Sequence, residues 1–142
     1  MVGIIIREFN FPVDYPEAFD LWKNSGAGIS VARSDSLDEI EKKLNYAPDL
    51  FLVAEIMGKL IGTVIGGFDG RRGMIYHLAV SKQFQKLGVG KMLMNEVESR
   101  LRSKGCLKSY LMVTKENTRV IDYYQNLGWN VMDLCVMGKE LE

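Results

Sequence analysis

The chain has 142 residues, 47% of them hydrophobic, enough to bury one core in a single domain. Its 18 Lys plus Arg balance 18 Asp plus Glu, which excludes the global basic field that draws a protein to nucleic acid. No apolar run approaches the roughly eighteen residues that cross a bilayer, and the first residues lack the layout of a secretory signal, so a cytoplasmic protein without membrane partners is expected.

In chain order, Ile4 to Ile6 predicts a first strand, and Asp14-Tyr15-Pro16-Glu17 reads as a capping box opening a helix with Phe19, Leu21 and Trp22 on its apolar side. Ser25 to Asp35, containing glycine and serine, reads as a loop. Ser36-Leu37-Asp38-Glu39 repeats the capping device and starts a second helix with Leu37, Ile40 and Leu44 on one face. Leu50 to Ile56 and Leu60 to Phe68 are β-rich runs joined at Met57-Gly58-Lys59, a hairpin signal, and a third strand from Met74 to Val80 completes an antiparallel meander. From Gly88 to Lys104, Val89, Leu93, Val97 and Leu101 recur every four residues, so this helix lays one stripe on the sheet and stops at Gly105. Leu107 to Val113 reads as a strand, Asn117 opens a helix that Gly128 closes, and Trp129 to Met137 reads as the last strand. Cys106 and Cys135 lack C-x-x-C or Cys/His spacing, so neither a disulfide nor a metal site is expected, and both read as buried or partly buried thiols.

The junction after the third meander strand carries the chemistry. A helix start leaves backbone N–H groups free and adds about half a positive charge, which favours an anion. Gly88 and Gly90 clear side chains from the backbone there, and Lys82, Lys86 and Lys91 add charge. The dinucleotide-binding spacing fails, because Leu93 stands where its third glycine belongs. The P-loop spacing fails at Gln85 and Met92. Gln85, Gly88 and Gly90 do fit Q/R-x-x-G-x-G/A, and Asn117, Val120, Tyr124, Gly128 and Trp129 fit N-x-x-A-x-x-x-Y-x-x-x-G-F with Val for Ala and Trp for Phe.

On these two motifs, in this order over nearly the whole chain, the sequence resembles the GNAT N-acetyltransferases, in particular their small bacterial members. The resemblance implies an α/β (α+β) domain with a mixed, mostly antiparallel sheet of six to seven strands, about four helices, and the order β-α-α-β-β-β-α-β-α-β. It implies transfer of acetyl from acetyl-CoA to an amine by direct attack. The cofactor pyrophosphate would lie on the backbone of Lys86, Leu87, Gly88, Val89, Gly90 and Lys91, helped by Gln85. The pantetheine arm would lie along Leu78, Ala79 and Val80 like an added strand, with a backbone N–H near Val80 facing the developing oxyanion. Tyr124 would be the general acid for the departing thiolate. Asn117 would bind the pantetheine amide, or simply cap its own helix.

The general base is open. Many relatives place a glutamate where this chain has Tyr76, and a phenol with an ordinary pKa near 10 is a poor base at neutral pH. His77 is the only histidine, the residue type that titrates near neutrality, but strand alternation turns it away from the face of Tyr76, Leu78 and Val80. Glu55 and Glu116 are the carboxylate candidates, and a water relay is a further route. The acceptor would be an amine-bearing small molecule or peptide. Glu17, Asp20, Asp35, Asp38 and Glu39 could attract its charge or serve as solvated faces and caps. The family also admits a homodimer. The competing readings are a non-catalytic acyl-CoA sensor, supported by Tyr76 in place of glutamate, and an unrelated phosphate-binding α/β module, supported by the glycine turn alone.

Overall fold

The computed structural model describes residues 3–25 and 31–142. The chain forms two compact units, Met1–Met112 and Val113–Glu142.

In the first unit, β1 (Ile5–Glu8) leads to helix α1 (Tyr15–Lys23), a 3-10 turn (Arg33–Asp35) and helix α2 (Leu37–Tyr46). A meander of β2 (Phe51–Ile56), β3 (Lys59–Phe68) and β4 (Gly73–Val80) follows, then a 3-10 turn (Lys82–Phe84), helix α3 (Val89–Ser103) and β5 (Ser109–Tyr110). The sheet order is β1-β2-β3-β4-β5, antiparallel except for the parallel β4–β5 pair. Of the loop expected between Ser25 and Asp35, residues 26–30 lie outside the described residues, and its end is the 3-10 turn.

The hairpin is as the sequence predicts. Met57 (φ 50°) and Gly58 (φ 77°) both take positive φ, the two-residue turn that matches strand twist. The α3 stripe also holds: Val89, Leu93, Val97 and Leu101 are buried, joined by Met94. A Cβ on Gly62 or Gly66 would press on Leu93 or Val97 at 3.0 and 2.8 Å, so these glycines let α3 lie close against β3. On the opposite face, Ala18 and Trp22 of α1 and Ile40 of α2 pack with Phe51, Val53, Ile65 and Ala79. The two faces thus carry different helices.

Several local expectations are corrected. Ser36 caps α2 by accepting from Glu39 N–H at 3.4 Å, but Asp14 does not cap α1. Its carboxylate is taken by Arg7 at 2.7 Å and by Asn10 N–H at 2.7 Å, and Glu17 reaches Leu60 N–H at 3.2 Å. Partners outside the helix, Arg7 and Asn10 before it for Asp14 and the distant Leu60 for Glu17, take both acids from the local cap. Leu37 is exposed instead of joining Ile40.

The second unit contains α4 (Thr118–Asn126), with Asn117 at its N-terminus and Gly128 (φ 96°) past its end. Trp129 to Met137 does not form the expected strand. A strand exists only with a ladder partner, and the segment's backbone bonds among the described residues are local ones, from Trp129 N–H to Tyr124 C=O and from Leu134 N–H to Met132 C=O. With β5 also shortened to two residues, the sheet of the described residues has five strands instead of six or seven. Cys135, in the segment that joined no sheet, is exposed rather than buried, while Cys106 is partly buried as expected.

Candidate active site

The centre of the first unit is the far half of β4. β5 pairs only with Gly73 and Met74, so from Ile75 onward the edge of β4 that faces away from β3 has no strand beside it among the described residues. Direction alternates along a strand. Ser81 N–H donates to Ile61 C=O of β3 at 2.8 Å, so the N–H groups of Val80 and Leu78 point to the open edge, and that of Ala79 points to β3. Val80 C=O, on the open edge, accepts from Gln85 Nε2 at 3.0 Å. Gln85 therefore ties the following turn to the end of β4.

That turn presents donors. Lys86 (φ 72°) and Gly88 (φ 83°) both sit in the left-handed region, the alternation that curls successive N–H groups around an anion. Gly88 is the N-cap residue of α3 with no side-chain cap, and the first backbone bond of the helix runs from Met92 N–H to Gly88 C=O at 3.0 Å. The N–H groups of Gly88, Val89, Gly90 and Lys91 donate no backbone bond among the described residues, as a helix start dictates, and those of Lys86 and Leu87 in the preceding turn donate none either. Nothing stands within 4 Å of a Cβ placed on Gly88, so its glycine is required by conformation and leaves the backbone approachable.

β4 also carries an irregularity absent from the sequence reading. The β3–β4 register jumps from Thr63↔Ala79 to Ile65↔Tyr76, leaving His77 as a bulge residue with φ 53°. The alternation argument for His77 is corrected accordingly: Tyr76 and His77 lie on the same face of the sheet. The imidazole packs edge-on to Trp22 with ring centroids 4.9 Å apart, and its Nε2 lies 2.7 Å from Asp35 Oδ1. Asp35 is buried, and its other oxygen accepts from Ala32 N–H at 2.9 Å. Tyr76 and His77 line a cavity of about 360 Å³ with Asp35, Ile40, Lys43 and Tyr46. Burial holds the Tyr76 phenol above its ordinary range, with the Asp35 charge adding to the effect. Sequence reasoning missed the pairing of His77 with Asp35, 42 residues apart, and the bulge that makes it, because neither leaves a local signal.

Glu55 is elsewhere on the sheet, on β2 and bonded to Arg7 Nε at 2.5 Å. In the second unit, Glu116 is exposed. Asn117 makes no side-chain bond to its own helix, so the cap expected of it is not formed. Tyr124 is half-buried beside Tyr123 and Trp129, with ring centroids at 5.4 and 6.3 Å. Burial first, and the neighbouring Tyr123 second, push its phenol well above the usual range. Among the described residues no cluster of His, Cys, Asp and Glu could hold a metal ion, and no helix is long and apolar enough to cross a membrane.

An open strand edge running into a cationic, anion-curling helix start defines a protein suited to an extended ligand with phosphate at one end. The chain belongs to the GNAT acetyltransferase family: the family described as "Acetyltransferase (GNAT) family" matches residues 15–129. A protein named "Acetyltransferase ECA0875" from Pectobacterium atrosepticum is 38% identical over 128 residues, covering 90% of this chain and 89% of that protein. Among solved structures, Ard1 from Thermoplasma volcanium superposes with a TM-score of 0.80 at 25% identity, over 92% of this chain and 85% of that one. The PaiA N-acetyltransferase from Thermoplasma acidophilum, solved in complex with coenzyme A, gives 0.81 at 22% identity over 94% and 93%, a likeness of fold. The protein is accordingly an N-acetyltransferase with acetyl-CoA as co-substrate.

Proposed function

We propose that the protein acetylates the primary amine of a small molecule or peptide by direct attack of that amine on acetyl-CoA. The single observation that carries this reading is the open edge of β4 at Leu78 and Val80, which leads into the unpartnered N–H groups of Lys86 to Lys91. The pantetheine arm is assigned to that edge as a added strand, the pyrophosphate to the curl at Lys86 and Gly88, and the oxyanion to Val80 N–H. Gln85 holds this frame through Val80 C=O.

Tyr124 is assigned as the acid that protonates the departing thiolate. Support comes from its motif position and from a phenol that burial keeps protonated. Asn117 is assigned to the pantetheine amide, in keeping with a side chain its own helix does not use. The family match runs from residue 15 to 129, through both units, so one catalytic domain working in the cytoplasm, alone or as a homodimer, is part of this reading.

Calorimetry with acetyl-CoA tests it, comparing the native chain with Gly88→Glu, which brings a negative charge and a strained backbone to the turn. Micromolar binding lost in the variant is the expected outcome. A folded native chain that does not bind acetyl-CoA overturns the assignment. A Tyr124→Phe variant that binds acetyl-CoA normally but turns over at least about tenfold more slowly is the matching expectation for the acid.

A further inference from the structure

Resting on the acetyltransferase reading, we propose that His77 is the general base that takes the proton from the acceptor amine, with Asp35 as the positioning residue that fixes its tautomer. The bulge at His77 puts the imidazole on the α1–α2 face, opposite the face on which α3 and its anion-binding start are packed. The open edge of β4 lies between the two faces, so an acceptor in the His77 cavity and a thioester held from the α3 side meet there. Three residues separate His77 from Val80, roughly 10 Å at about 3.3 Å per residue, which an amine nitrogen and one bridging water span.

The charged surroundings fit the role. Asp35 Oδ1 lies 2.7 Å from Nε2 and fixes the proton there, which leaves the Nδ1 lone pair for substrate. Nδ1 has no hydrogen-bond partner among the described residues and is not among their buried unsatisfied atoms. From α1, Tyr15 donates its hydroxyl to Asp35 C=O at 2.8 Å. From α2, Lys42 pairs with Glu39 at 2.8 Å and Lys43 donates to Gly66 C=O, and exposed Tyr46 adds a phenol. Tyr76, beside His77 on β4, stays a neutral phenol.

In the reaction, an N–H bond of the ammonium form of the acceptor breaks, its proton passes to the bridging water, and that water gives one of its protons to Nδ1. The freed electron pair forms the C–N bond to the thioester carbonyl carbon. The C–S bond then breaks with its pair on sulfur, and the thiolate gains a proton as the amide nitrogen loses one. The imidazolium returns its proton to water, so one proton is released per turnover.

His77 is the only histidine, so its ring nitrogens give a single resolvable set of 15N signals. The expected spectrum of the neutral ring shows the proton on Nε2 and a bare Nδ1, with that tautomer preference lost in Asp35→Asn. A proton on Nδ1 overturns the proposal. In acetyl transfer to spermidine, neamine and a peptide with a free amino terminus, His77→Gln is expected to lose about 100-fold or more in kcat, to keep its KM for acetyl-CoA, and to lose the acidic limb of the native pH profile. His77→Asn, which accepts the positive φ, guards against misfolding and is expected to behave alike. Variants that keep the native rate and limb overturn the proposal, and if no amine is acetylated the tautomer alone decides. Acetyl-CoA binding by calorimetry separates the two levels: a native chain that fails to bind sinks the acetyltransferase reading, whereas binding with the wrong tautomer sinks only the base.

Discussion

Thr63 uses one buried hydroxyl twice, accepting from Trp22 Nε1 and donating to His77 C=O, each at 2.9 Å. It thereby ties α1 to the bulge. Thr63→Val orphans both partners and is expected to cost about 2 to 4 kcal/mol, read from the urea midpoint. Asp14 sets a pH dependence. Burial alone would raise its carboxyl, but Arg7 and Asn10 N–H hold it below the ordinary range. A depressed carboxylate stabilises the fold above its unfolded pKa of about 3.9 and loses that contribution as pH falls through the folded value. Asp14→Asn is therefore expected to lower the urea midpoint at neutral pH, with the gap to the native chain closing in acid. Among single residues, Gly88 and Gly90 were legible because a helix start announces itself in a few neighbouring letters. The partner of His77 was not, since Asp35 reaches it only through the packing of two helices on a sheet.

At the scale of elements, the meander hairpin carries a mismatch between turn and sequence. Met57 holds a positive φ that asparagine or glycine adopts more readily, so Met57→Asn is expected to stabilise by about 0.5 to 1 kcal/mol, measured by thermal unfolding. β4 makes a second prediction. The amides of Leu78 and Val80 should exchange with deuterium faster than that of Ser81, which donates to Ile61, and should gain protection when acetyl-CoA is added. Helix α3, the hairpin and the Ser36 cap could be read from the chain because each depends on contacts within one or two turns. The bulge could not, because Thr63, Ile65, Tyr76 and Ala79 look like ordinary strand residues until two strands are set side by side. Trp129 to Met137 misled for the opposite reason: its residues favour strand, yet pairing is supplied by a neighbour and not by propensity.

For the whole molecule, ligand linkage gives the broadest expectation. Acetyl-CoA at about 100 times its Kd adds about 2.7 kcal/mol, which for a chain of this size raises the melting temperature by roughly 6 to 10 °C, and Gly88→Glu should abolish the rise. On the proposed mechanism the two faces of the first unit's sheet divide the labour, with α3 toward the anionic end of the co-substrate and α1 and α2 toward the acceptor. Trp22 stands on the α1–α2 face, fully buried and edge-on to the only imidazole in the chain. An imidazolium quenches a neighbouring indole's emission far more than a neutral ring does. If His77 is the base proposed above, the light emitted by Trp22 follows its charge, and the protein carries its own optical gauge of the proton taken from the acceptor.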